Sequence, residues 1–164
     1  MSVLETFILP GLIIPFKPVS FIVKESLVKH RFFGTIMKAT NPISVTRTDP
    51  KKDFKTVMSA GPKLVSEGRS IIVFPQSTRG KFIAKEFGSI GDKLAQRANV
   101  SIIPVALKTD FWGNGKLSKD FGPIRRDKDI YFEFEKPLNT DMDKKERHSH
   151  VVNFIETKLK EWSF

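Results

Sequence analysis

Short apolar runs alternate along this chain with longer stretches in which apolar residues recur every three or four positions. Val19 to Lys24 reads as a short strand, and Pro42 to Arg47 as a second with Ile43, Val45 and Arg47 on one side. Ser70 to Phe74 is almost wholly apolar, as a strand buried on both faces should be. Ser101 to Leu107 is a further strand, pushed toward an edge or a bulge by Pro104. Asp129 to Glu135 sets Ile130, Phe132 and Phe134 against Tyr131, Glu133 and Glu135, the alternation of a half-buried strand.

Helical spacing fills the intervals. Ser26 to Ala39 carries Leu27, Val28, Phe32, Phe33, Ile36 and Met37 on one stripe, with a break expected near Gly34. Asp49-Pro50 is an N-cap followed by proline in the first turn, and Phe54, Val57, Met58, Leu64 and Val65 mark the helix behind it. Gly61-Pro62 inside that stripe predicts a kink or two shorter helices. Ser89 to Asn99 turns Ile90, Leu94 and Ala98 inward, and Trp112 to Gly115 marks a turn. Asp143 to Trp162 closes the chain as an amphipathic helix with Val151, Phe154, Ile155 and Leu159 on its apolar side. Alternation of strands and helices predicts an α/β domain over residues 1–164, with a mainly parallel, mixed sheet flanked by helices.

The segment Phe7 to Phe16 is strongly apolar, too short to span a bilayer, and interrupted by two prolines and a glycine. It suits a buried helix end and turn better than a segment dipping into a membrane interface. No basic leader precedes it. The 15 phenylalanines and single tyrosine point to a packed interior rather than a surface for stacking bases. With no cysteine and three scattered histidines, neither disulfides nor a metal cluster is expected, and no metal is assigned.

Charge changes the picture. Twenty-eight Lys and Arg against 18 Asp and Glu leave a formal charge of +10, which favours phosphate-bearing partners. The cations are spread along the chain, and no nucleic-acid-binding motif accompanies them. An anionic membrane surface or a phosphorylated substrate fits better, with nucleic-acid binding an alternative resting on charge alone.

The chemistry gathers after the Ser70–Phe74 strand. Pro75 stops the ladder, and Gln76, Ser77, Thr78, Arg79 and Gly80 follow at once as a polar loop. An arginine among hydroxyl and backbone donors suits a phosphate, and in open α/β sheets ligands bind where such loops leave the strands. Arg47, at the end of another parallel strand, would project at the same edge, and Lys24 fits there too. Each also has the ordinary reading of a solvated or surface-paired cation.

Phe74-Pro75-Gln76-Ser77-Thr78-Arg79 resembles the Phe-Pro-Glu-Gly-Thr-Arg block of the glycerolipid acyltransferases, the 1-acyl-sn-glycerol-3-phosphate acyltransferase family. Thr78 and Arg79 match, whereas Gln76 and Ser77 depart from the block. Val19 to Leu27 with Phe32-Phe33-Gly34, Ile43 to Arg47, and Ile102-Ile103-Pro104-Val105 are similar to other blocks of that family, in the same order. The resemblance covers residues 1 to 107. It implies acyl transfer from acyl-CoA or acyl-carrier protein to a lysophospholipid, with no cofactor and no covalent acyl-enzyme. It also implies an acceptor phosphate held by Arg47, Thr78 and Arg79, and a peripheral location on the cytoplasmic face of the cell membrane.

That family supplies its base as a histidine followed, after four residues, by Asp. No histidine here has an acid five positions on, because Thr35, Asn153 and Ile155 stand there after His30, His148 and His150. Glu5, however, lies five positions after the residue that would precede Met1, and Ser2 falls where the motif commonly has serine. The chain therefore reads as beginning one residue inside its own active-site motif, with Glu5 in the acid's place. Ser2 and Glu5 equally fit a helix capping box. A catalytically inactive anion- or lipid-binding domain of the same fold is the alternative that a missing histidine would produce.

Overall fold

A computed structural model of the protein describes residues 4–29, 34–76, 81–113, 115 and 122–163. Ser2, His30, Phe32, Phe33, Ser77, Thr78, Arg79 and Gly80, all singled out above, lie outside the described residues. The elements run α1 (Glu5–Ile13), β1 (Val19–Lys24), α2 (Glu25–Val28), α3 (Gly34–Ala39), β2 (Ile43–Val45), α4 (Pro50–Ser66) and β3 (Ser70–Ile72). They continue with a 3-10 turn at Ala84–Glu86, α5 (Ile90–Ala98), β4 (Val105–Lys108), β5 (Tyr131–Phe134) and α6 (Lys144–Glu161). This is the expected α/β class.

Strand β1 lies at the centre of a three-stranded parallel sheet in the order β2-β1-β3. Its register pairs Val19 with Ser70 on one side and Lys24 with Val45 on the other. The odd residues Val19, Phe21 and Val23 pack with Leu9 of α1 and Ile72, while Ile22 turns to the opposite cluster of Ile43, Val45, Val57, Met58, Leu64 and Leu94. Period-two alternation thus feeds two cores from one strand. Ser20, buried between them, is satisfied by donating to the Asn41 carbonyl at 2.7 Å. A separate antiparallel ribbon pairs β4 with β5, Val105 opposite Phe134 and Lys108 opposite Tyr131.

Several details differ from the sequence expectations. The helix after Asp49 runs through Pro62 as one element, and Asp49 caps it by accepting from the Lys52 amide at 3.0 Å. Gly61 is there because α5 comes close: a Cβ would meet Leu94 Cδ1 at 2.4 Å. Phe54 leaves the apolar stripe for the surface, under the ammonium of Lys93. Of the Phe7–Phe16 segment, Leu9 and Pro10 are buried, but Leu12, Ile14 and Phe16 are exposed, Phe16 at 84%. Nor do the phenylalanines make a solid interior. Among the described residues Phe21 is the one in the buried core, and Phe16, Phe74, Phe82, Phe87 and Phe134 line a cavity.

The last helix is tied to the fold by charge as well as by its apolar side. Arg147 of α6 is fully buried and donates from Nε to Asp92 Oδ1 of α5 at 2.7 Å. Its Nη1 also donates to the carbonyls of Asn139 and Met142, at 3.1 and 2.9 Å. Removing one partner would leave the other charge buried. Asp92→Ala should therefore cost about 3–5 kcal/mol in urea denaturation at pH 7. A loss below about 1 kcal/mol, the worth of an exposed pair, would show that the pair does not hold α6.

Candidate active site

The parallel register brings the carboxyl ends of β1, β2 and β3 to one edge of the sheet. Lys24 is the last residue of β1 and is exposed there. β2 ends at Val45 instead of reaching Arg47, and Arg47 turns away with a left-handed φ of 62°. Such a φ is uncommon for a residue with a Cβ and raises its energy. What holds it is Asp53, in the first turn of α4. Its Oδ2 accepts from the Arg47 amide at 2.6 Å, and its Oδ1 from the amide and hydroxyl of Thr46 at 2.8 and 3.1 Å. Burial raises the pKa of this carboxyl, but the Thr46 and Arg47 amides and the Thr46 hydroxyl outweigh it and hold the group below its usual range.

On the other side of β1, Phe74 continues from β3 and stacks on Phe21, ring centroids 6.5 Å apart. The Pro75 carbonyl accepts from the Gly88 amide at 3.3 Å, closing the neck of the loop between them. Inside that loop Gln76 is buried, and its amide bridges back to the chain at residues 81 and 83.

A third contribution comes from outside the parallel sheet. Glu5, at the start of α1, is 3% exposed, and its Oε2 accepts from the hydroxyl of fully buried Thr109 at 2.6 Å. Thr109 follows β4 directly. Five residues, Ile14 to Pro18, join α1 to β1, and so short a connection favours a helix running antiparallel to the strand, its first turn toward the carboxyl ends of the strands. Pro104 is buried just before β4, where its carbonyl accepts from the Glu135 amide at 3.0 Å.

Between β3 and β4 lies a cavity of about 1,700 Å³. Its walls follow the chain from Ser70 in β3 to Gln76 beyond that strand and take in Val105 and Leu107 of β4, with Leu9 and Ile13 of α1 and Val151 and Ile155 of α6. Most of the lining is aliphatic or aromatic. His148 stands in the wall with its ring tilted against Phe87, whereas His150 pairs with Glu135 at 2.8 Å.

A family model for acyltransferases matches residues 4–108. The chain belongs to the acyltransferase family. The matched span begins one residue before Glu5 and ends one residue before Thr109, so it takes in three parallel strands and the loop after β3. A 1-acyl-sn-glycerol-3-phosphate acyltransferase of Pseudomonas aeruginosa is 30% identical over 76% of this chain and 48% of its own length. One from Cocos nucifera is 23% identical over 82% of this chain and 42% of its own. The chain thus spans about half the length of the curated relatives it matches. The crystal structure of the 1-acyl-sn-glycerophosphate acyltransferase PlsC from Thermotoga maritima superposes with a TM-score of 0.68 at 17% identity, covering 98% of this chain and 62% of that one. That likeness establishes a shared fold.

Two members of the site escaped the sequence. Asp53 reads as one more acid in a helix first turn, and only the turn at Arg47 gives it a purpose. Thr109 carries no signal, because its partner lies 104 positions away. Both expectations drawn from the strained turn can be measured. Arg47→Gly should be more stable than Arg47→Ala by about 1 kcal/mol in urea denaturation, since glycine alone takes a left-handed φ without a Cβ penalty. The lowered carboxyl of Asp53 adds stability above its ordinary value near pH 3.9 that is lost as pH falls through the lowered value. Asp53→Asn should flatten that acid limb, and an unchanged acid midpoint would remove Asp53 from the account.

Proposed function

We propose that this acyltransferase-family chain moves a fatty acyl group from an acyl thioester, carried by CoA or acyl-carrier protein, to the free hydroxyl of a lysophospholipid such as 1-acyl-sn-glycerol-3-phosphate. The observation that carries the reading is an apolar cavity of about 1,700 Å³ whose wall includes Phe74, Pro75 and Gln76, the residues that lead in the chain directly into the basic Thr78-Arg79 segment. Acyl carbon chains need the first and a phosphate head needs the second. Nucleic acid would use the charge but not the cavity. The relatives named above bear activity names of this kind.

In this proposal Arg47, Thr78 and Arg79 bind the acceptor phosphate, with Lys24, Phe74, Pro75, Ser77, Gly80 and Pro104 shaping the surroundings. Glu5 is the carboxylate partner of a histidine that the family's motif would place immediately before Met1, and Ser2 belongs to the same motif. That imidazole removes the acceptor hydroxyl's proton as the oxygen attacks the thioester carbonyl. The C–S bond then breaks, and the proton passes to the departing thiolate. Glu5 would hold the imidazole in its productive tautomer and stabilise the imidazolium. Thr109, donating to the same carboxylate, fixes the direction in which Glu5 can act.

The protein would work peripherally at the cytoplasmic face of an anionic membrane. No helix among the described residues is long and apolar enough to cross one. Exposed Leu12, Ile14 and Phe16 offer an apolar contact, and the +10 charge an electrostatic one.

Three experiments test the reading. Arg47→Ala and Arg79→Ala should each raise the KM for lysophosphatidate about tenfold or more, from the loss of charge-assisted bonds worth roughly 1.5–3 kcal/mol. A rise confined to the thioester would refute the phosphate assignment. Thiol release by a chain extended upstream through a histidine should exceed that of residues 1–164 by about 10²–10⁴-fold, and Glu5→Gln in the extended chain should abolish most of the gain. Equal turnover by both chains would move the base elsewhere. Vesicles with anionic lipid should pellet more protein at low salt than neutral vesicles do, and equal pelleting would discard the electrostatic part.

A further inference from the structure

We infer that Thr109 is a positioning residue matched to a glutamate at position 5, its hydroxyl fixing the longer carboxylate that stands here where the acyltransferase motif has aspartate. This rests on the carboxylate role proposed for Glu5. Glu5 is 3% exposed and Thr109 is fully buried, and the hydroxyl donates to Glu5 Oε2 at 2.6 Å. A bond of that length from a hydroxyl to a carboxylate is among the stronger kinds. Both partners rest on one apolar cluster. Leu9, four residues after Glu5 and therefore on the same face of α1, packs with Val19, Phe21, Val23 and Ile72. Val105, at the start of β4, packs against that cluster too. The donor is also held by its own backbone, since Lys108 before it pairs with Tyr131 and the Thr109 carbonyl accepts from the Trp112 amide at 3.4 Å.

The consequence lies in reach and freedom. Glutamate carries one methylene and one torsion more than aspartate, so its carboxylate extends farther from α1 and samples more directions. A carboxylate is planar, and a donor that holds one oxygen restricts the direction of the other. Shortening the side chain to aspartate would draw the carboxylate back by about 1.5 Å, opening the 2.6 Å bond to roughly 4 Å, outside hydrogen-bond range. The hydroxyl at position 109 therefore acts on a glutamate and has no hold on an aspartate. A helix cap would need only the backbone at the start of α1, and it gives the bond to a residue 104 positions away no purpose.

Two measurements decide the matter. In residues 1–164, NMR should show the Thr109 hydroxyl proton exchanging with water at least about tenfold faster in Glu5→Asp than in wild type, the factor for about 1.4 kcal/mol. Equal rates would overturn the pairing, and this reading needs no variant of Thr109 that could fail to fold. In the chain extended upstream through a histidine, Thr109→Val should lower kcat at least about tenfold and leave both KM values within about twofold. Thr109→Ser, which keeps the hydroxyl, should recover most of the loss. In a Glu5→Asp background the same Thr109→Val change should alter kcat by less than about twofold. A loss shared by the serine variant, or an equal loss in both backgrounds, would refute the positioning role, as would an unchanged kcat in Thr109→Val. If the extended wild type transferred no acyl group, the proposed function would fall, and the hydroxyl exchange would still decide for or against the pairing.

Discussion

Parallel hydrogen bonding of β1 to both neighbours is the constraint from which the arrangement of this molecule follows. Pairing Lys24 with Val45 and Phe21 with Ile72 places three strand ends at one edge. Every connection that leaves the sheet there, after β1, β2 and β3, starts within one strand spacing of the next, roughly 5 Å. β1 can hold this position because it is buried on both faces, with Phe21 fully covered on one and Ile22 packed toward α4 and α5 on the other. An antiparallel arrangement would have sent alternate loops to opposite edges, and Arg47 and Gln76 could not have shared a side.

Polar side chains buried in this fold are held by specific hydrogen bonds, two of the three to residues distant in the chain, which makes the site and the fold one system. Glu5 finds Thr109, Asp92 finds Arg147, and Gln76 finds two backbone groups of its own loop. Each of these bonds is worth little as a gain over water, yet each is costly to lose because the remaining group stays buried. The apolar cavity between β3 and β4 lowers the packing of the interior in the same region. A fold with so large an apolar cavity needs such cross-links, and α6 shows it: among its residues Arg147 and Val151 are the buried ones.

Arg47 illustrates how the same economy serves function. Its left-handed φ is the sort of local cost that persists only when surroundings over-determine it. Asp53 supplies that determination through two backbone amides in succession, so the direction of the chain after β2 is set by a carboxylate and not by the intrinsic preference of arginine. The turn after β3 is fixed by an amide in a comparable way. Both turns beside the sheet edge are thus held by side-chain-to-backbone bonds, which fix geometry more tightly than apolar contact does.

How much of this could be read without coordinates depends on how far apart the interacting residues lie. Val19–Lys24 as a strand, Asp49 as a cap and the alternating class all rest on periodicity and capping within a few residues, and the sequence by itself determined them. So did the order of motifs that identified the family. The tertiary structure alone decided that Phe16, Phe54 and Phe134 would face outward, that one helix would run through Pro62, and that a cavity would open where a packed interior was expected. It alone joined Glu5 to Thr109 and set Arg47 apart from its strand. The physical reason is the same in each case. Local propensity is a matter of tenths of a kcal/mol to about 1 per residue, whereas burial and long-range hydrogen bonding contribute more and depend on neighbours that no local window contains.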